Sequence, residues 1–385
     1  MLRSFLIGLA LLCCASATLL AIWIVIPFYP LWTIAVGASE WSLWLGALAL
    51  VGVALGALAR ANGSRWALPA ALLIGLPALI LSVLPLAQAL PVARQHGAEL
   101  SLGRYLWGWR SPPTGSPPET VTFATVDGQP LLLDVYQPSA SAPQPRPAIV
   151  VVHGGSWSGG DKSDFPQWNN WLTGQGYAIF DVQYRLTPQP NWQTATGDVK
   201  CAIGWVRQHA AQYNIDPQRI ALLGRSAGAH LALLAAYAPN EQAAPPSCAV
   251  GDTSVKLVVD FYGPTDLEWG YNATADENGE NGSPATQSFL GGTPRSVPAA
   301  YTTASPINHV RADSPPTLLL HGGRDQLVSP RHSEMLADRL QAAGVPYQTV
   351  YIPYGQHGFD YNFNGWSGQI SQSALRQFLQ TYLQL

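Results

Sequence analysis

The hydrophobic positions of this chain follow two regimes. Up to about residue 110 they form long runs with almost no charge: 5–26, 41–59, and 66–90, the last interrupted by Pro69, Pro77 and Pro85. About 20 helical residues cross a hydrocarbon core of about 30 Å, so these runs predict three membrane-spanning helices. Trp32, Trp41, Trp44 and Trp66 fall near their ends, as in an interfacial aromatic belt. Ala15-Ser16-Ala17 offers a cleaved signal peptide as the alternative, but the first run continues past Ala17 and two more follow.

Beyond residue 118 the apolar runs become short. Residues 119–126 and 131–137 read as two strands around the turn Asp127-Gly128. Runs at 148–152, 177–182, 220–223, 257–262, 317–320 and 348–352 suit strands buried on both faces. Helical patterns lie between them at 164–175, 194–212, 227–238, 330–343 and 369–383. Alternating strand and helix predicts an α/β domain with a parallel sheet wrapped by helices. Two inserts break the rhythm, at 239–254 and at 272–296. The segment SPPTGSPP at 111–118 is a proline-rich spacer, so the chain divides into a membrane region 1–110, a linker 111–118 and a domain 119–385.

Composition sharpens this division. The 385 residues are 48% hydrophobic and 11% charged, and before Ser111 the charged residues are Arg3, Glu40, Arg60, Arg65, Arg94, Glu99, Arg104 and Arg110. A net charge of −3 provides no basic field for nucleic acid. The lipid bilayer is the expected partner, and the protein reads as multi-pass. Arg3, Arg60 and Arg65 balance Arg94, Arg104 and Arg110 across a three-span arrangement. The loop between the first two spans has no Lys or Arg, which favours an internal N-terminus with the large domain outside the cytoplasm. Cys13 and Cys14 fall within the first span. Cys201 and Cys248 remain as a possible disulfide or as two buried thiols.

The chemistry concentrates at strand ends. Gly224-Arg225-Ser226-Ala227-Gly228 matches G-x-S-x-G between a strand pattern and a helix pattern, the context in which a nucleophilic serine sits on a strained turn. His153-Gly154-Gly155-Ser156-Trp157 follows the strand at 148–152. Small residues there let the backbone N–H groups of Gly155 and Ser156, with that of Ala227, form an oxyanion hole. The order nucleophile, acid, base then predicts an Asp and a His after later strands. Asp325 in HGGRD and His357 in GQHGF occupy those places. Asp266 is the spare acid; His332 reads as a surface residue near a helix start, and His153 as a structural residue of its loop. Trp157, His230 and Phe359 are candidate pocket residues, with His230 otherwise structural.

The segments HGGSWSGGDK from His153, DVQYRLTP from Asp181, GRSAGAHLAL from Gly224, YGPTDL from Tyr262, HGGRDQLVS from His321 and GQHGF from Gly355 together resemble the hormone-sensitive-lipase-like and feruloyl-esterase-like carboxylesterases. The resemblance covers most of 119–385. It implies the α/β-hydrolase fold with an eight-stranded, mostly parallel sheet, and the triad Ser226, Asp325 and His357. It also implies a structural pair of Arg185 with Asp198. Many relatives carry a third glycine where this chain has Ser156. The expected activity is ester hydrolysis through an acyl-enzyme on Ser226, with a small-molecule or lipid ester as substrate. Such chemistry requires no cofactor and no metal. The acidic residues Asp276, Glu277 and Glu280 match no known calcium loop and read as solvated. Acyl transfer or peptide cleavage on the same triad, and a non-catalytic binding protein of this fold, are the alternatives.

Overall fold

A computed structural model describes residues 1–27, 29–108, 117–139, 144–186, 190–273 and 284–384. The spacer residues 111–116 and the acidic residues Asp276, Glu277 and Glu280 lie outside them. The chain forms two compact units. One comprises Met1–Leu106 with the segments Gly322–Leu327 and Tyr351–Ser371; the other comprises Trp107–His321, Val328–Val350 and Gln372–Leu385.

In the first unit, helix α1 (Leu2–Ala21) ends in a 3-10 turn at Ile22–Ile24, followed by α2 (Trp32–Glu40), α3 (Ser42–Ala61), α4 (Ala67–Gln95) and the short α5 (Leu102–Trp107). Three helices are long and apolar enough to cross a membrane: Leu2–Ile24, Ser42–Ala61 and Ala67–Gln95. Helix α4 continues past the expected end at Leu90, carrying Pro77, Pro85 and Pro91 within it. Small residues let these helices meet closely. A Cβ on Gly56 would meet the Ala71 side chain, and one on Gly52 the Cys14 thiol. Thr18 Oγ1 donates to the Ile74 carbonyl at 2.6 Å, satisfying a polar group between α1 and α4.

An eight-stranded sheet runs in the order β1-β2-β4-β3-β5-β6-β7-β8. Its strands are β1 (Glu119–Val126), β2 (Gln129–Tyr136), β3 (Arg146–Val152), β4 (Ala178–Val182), β5 (Ile215–Arg225), β6 (Leu257–Phe261), β7 (Thr317–Gly322) and β8 (Tyr347–Ile352). Pairing is antiparallel at β1–β2 and β2–β4, and parallel from β4 through β3, β5 and β6 to β7. Strands β3, β4 and β6 are buried along almost their whole length, which is why they read as unbroken apolar runs. Strand β5 begins five residues before the expected Ile220. Its register against β3 jumps from Arg146↔Ile215 to Ala148↔Ile220, and the bulge absorbs Pro217, which has no N–H for the ladder. The remaining helices are α6 (Pro166–Gly174), α7 (Trp192–Gln208), α8 (Ala227–Tyr237), α9 (Leu267–Asn272), α10 (Pro284–Leu290), α11 (Pro298–Ala304), α12 (Arg331–Ala342) and α13 (Trp366–Leu383).

Several ties hold the insert at 239–254 to α7, among them a disulfide and a buried lysine. Cys201 and Cys248 form a disulfide with a Cα–Cα separation of 5.4 Å. The buried Lys200 ammonium donates to the Ala244 carbonyl at 2.8 Å, and burial lowers its pKa to about 8. Nearby, Arg185 grips Asp198 through Nε and Nη2, the latter at 2.8 Å, with the Asp198 side chain fully buried.

Candidate active site

Ser226 stands between the last residue of β5 and the first of α8, at φ 53 and ψ −123. Side chains rarely adopt this conformation, and a non-glycine residue held there costs about 1–3 kcal/mol. The backbone around it explains the flanking glycines. A Cβ on Gly224 would strike the Gly228 carbonyl and the Ala229 backbone; one on Gly228 would strike the carbonyls of Val152 and His153. The Ser226 N–H donates to the Phe261 carbonyl at 2.9 Å, tying the turn to β6. Arg225 is buried beneath it, with its guanidinium carbon 4.0 Å from the ring centre of Phe165 and 5.0 Å from that of Phe261.

The loop after β3 is equally constrained. Gly155, Ser156 and Trp157 have φ of 112, 52 and 58, three successive positive values. The turn closes through Ser158 and Gly159 N–H groups on the Gly155 carbonyl, at 3.0 and 2.9 Å. Positive φ at Ser156 and Trp157 is uncommon for residues that carry a Cβ and marks a constrained turn. The loop lies against the serine turn, since a Cβ on Gly154 would sit 3.3 Å from that of Ser226. His153 is a strut of this loop: its ring stacks on Tyr184 at 4.4 Å, its Nδ1 bonds the Gly154 carbonyl at 2.7 Å, and burial lowers its pKa.

Asp325 and His357 meet on the segments that follow β7 and β8. His357 Nδ1 donates to Asp325 Oδ2 at 2.8 Å, and each residue is 5% exposed. The other carboxylate oxygen accepts the Leu327 N–H at 2.8 Å, fixing the acid's orientation. Gly323 N–H to Ile352 O at 2.7 Å and Arg324 N–H to Gly355 O at 3.0 Å clamp the two segments together. A Cβ on Gly322 would collide with the Gly355 carbonyl. With its proton on Nδ1, the imidazole keeps a basic lone pair on Nε2.

The other sequence candidates resolve differently. Asp266 is the N-cap of α9, its Oδ1 accepting the Trp269 N–H at 2.9 Å. His332 is buried rather than on the surface: its Nδ1 accepts the Thr265 N–H at 3.2 Å and its ring meets Trp269 edge-on at 4.9 Å. His230, Phe359 and Trp157 are 0%, 0% and 4% exposed. His230 accepts from Trp157 Nε1 at 3.2 Å and donates from Nε2 to the Ala304 carbonyl at 2.8 Å. Both nitrogens are thus satisfied in the neutral form, and burial lowers the pKa to about 4. One neighbour of His357 has no signature in the sequence: the Trp32 ring from α2 meets it edge-to-face at 5.7 Å.

Residues 133–340, more than half of the chain, match the BD-FAE family. The chain belongs to the BD-FAE family. Its fold is the α/β-hydrolase fold, preceded by the three long apolar helices. Over 233 residues it is 33% identical to the probable carboxylic ester hydrolase LipM of Mycobacterium tuberculosis, a match covering 59% of this chain and 53% of LipM. The chain spans about half the length of the curated relatives it matches. A thermophilic esterase of the planctomycete Thermogutta terrifontis, Est2, superposes with a TM-score of 0.58 at 26% identity, covering 70% of this chain and 94% of that one. The same esterase 2 is known phosphorylated by paraoxon, in a structure 25% identical with a TM-score of 0.56 that covers 71% of this chain and 96% of that one.

Proposed function

We propose that this BD-FAE chain is a membrane-anchored serine carboxylic-ester hydrolase. Ser226 Oγ attacks the ester carbonyl as His357 Nε2 takes its proton, and Asp325 holds the imidazole tautomer and stabilises the imidazolium. The oxyanion is held by the N–H groups of Gly155, Ser156 and Ala227. His357 then protonates the leaving alcohol, and water repeats the sequence on the acyl-enzyme to release the acid.

The observation that carries this reading is the conformation of Ser226, φ 53 and ψ −123 between strand and helix. Packing alone gives no reason to keep that strain, whereas a projecting nucleophile requires it. The hydrogen-bonded Asp325–His357 couple, and relatives named as ester hydrolases, support it.

The three apolar helices support a lipid or cell-envelope ester as the natural substrate, since they hold the chain where such esters are concentrated. The Cys201–Cys248 disulfide, together with a first inter-span loop free of Lys and Arg, supports a catalytic domain outside the cytoplasm. The test is hydrolysis by the full chain in detergent, using p-nitrophenyl esters of increasing length and vesicles of diacyl phospholipid, with Ser226→Ala alongside. Hydrolysis that disappears in the variant is expected; hydrolysis that persists in it overturns the assignment. Turnover of short soluble esters with none of vesicle lipid would leave the hydrolase and remove the lipid substrate.

A further inference from the structure

Two tethers join the stretch between the first two spans to the segments that carry Asp325 and His357. At one end, Arg324, the neighbour of Asp325, donates from Nη1 to the Val25 carbonyl at 2.9 Å, where the first membrane helix runs out of internal partners. Its guanidinium carbon lies 4.6 Å from the ring centre of Tyr354, which keeps the side chain in place. At the other end, Asn362 Nδ2 donates to the Glu40 carbonyl at 2.9 Å, and Ser367 Oγ donates to Glu40 Oε1 at 2.7 Å. Glu40 is 3% exposed. An acidic residue buried by contacts to chain segments about 320 positions away is costly to keep unless its placement matters.

Trp32 lies between these tethers, at the start of α2. Its ring meets the His357 imidazole at 5.7 Å between centroids with an interplanar angle of 86°. This geometry is the attractive edge-to-face arrangement, and a rigid indole there restricts rotation of the imidazole about its Asp325 bond. Three spans also return the chain after Gln95 to the side of the membrane on which residues 25–41 lie. We infer that Trp32 is a positioning residue for His357, so that the membrane region is part of the catalytic apparatus as well as its anchor. The inference rests on the hydrolase reading above. It gives the segment between the first two spans a role that neither the sheet nor the serine turn supplies.

The test uses the full chain in nanodiscs and compares Trp32→Ala, Trp32→Leu and Trp32→Phe with the wild type on p-nitrophenyl acetate. A lost aromatic contact of this type is expected to lower kcat by about threefold to tenfold in the Ala and Leu variants. KM should stay within about twofold, because the contact is to the base and not to the substrate, and Phe should restore kcat to within about twofold. The Leu variant keeps apolar bulk, so it decides the matter should the Ala variant fail to fold. Wild-type kcat in the Leu variant, or a Phe variant as impaired as Leu, would overturn the inference. A wild type whose serine does not react with a fluorophosphonate would instead overturn the hydrolase reading beneath it.

Discussion

Asp325 accepts the Nδ1 proton of His357 at 2.8 Å, while Asp266, the spare acid after β6, spends its carboxylate on the first turn of α9. The two substitutions therefore separate cleanly. Asp325→Asn leaves the shape intact but offers the imidazole the wrong tautomer, and kcat is expected to fall by about 10³ to 10⁴ with the fold retained. Asp266→Ala removes a helix cap, costing about 1 kcal/mol of stability with kcat unchanged. Steady-state kinetics and thermal unfolding of both variants check this.

Ser156 occupies the middle of three successive positive φ values. Ser156→Gly removes the Cβ penalty and keeps the N–H proposed above to hold the oxyanion. Stability is expected to rise by about 1 kcal/mol, with the acylation rate within about threefold of the wild type. Gly155→Ala would drive a Cβ into the Gly159 carbonyl and should abolish acylation. Stopped-flow release of p-nitrophenol reads both.

The Cys201–Cys248 bond closes a loop with a sequence separation of 47. Replacing both cysteines with serine is expected to lower stability by up to about 4 kcal/mol, because the unfolded chain regains the freedom the cross-link removed. The comparison is thermal unfolding of the Cys201→Ser/Cys248→Ser double variant against the wild type under non-reducing conditions.

Burial pushes the Glu40 carboxyl up to about 8; the Asp360 charge adds to the rise and the Ser367 hydrogen bond opposes it. A glutamate in the unfolded chain ionises near 4.5, so between about pH 4.5 and pH 8 the native protein holds more of this proton than the unfolded one. Rising pH therefore costs stability across that window, by up to about 1.4 kcal/mol per pH unit, and the cost levels off above it. Glu40→Gln should flatten this dependence. Thermal unfolding midpoints of both proteins from pH 4 to pH 9 supply the comparison.

Local backbone chemistry accounts for what could be read in advance. The glycines of Gly224-Arg225-Ser226-Ala227-Gly228 are demanded by carbonyls a few ångströms away, so the turn is written into five consecutive residues. The sheet was legible because β3, β4 and β6 are buried on both faces. The start of β5 was not, because a bulge hides Pro217 inside a strand. His332 reads as a surface residue because its helix carries polar neighbours, while its own ring turns inward to Thr265 and Trp269. Trp32, Glu40 and Arg324 left no local signal, since each meets partners about 300 positions distant; Trp32 reads in sequence as an interfacial residue and Arg324 as part of the loop that carries Asp325.

Reaction of the full chain with a fluorophosphonate, followed by mass mapping of the modified peptide, tests the serine mechanism most directly. The account predicts one adduct, on Ser226, formed in the wild type, absent in Ser226→Ala and slowed by at least about a hundredfold in His357→Ala. An adduct on another serine, or labelling that survives in Ser226→Ala, would contradict it.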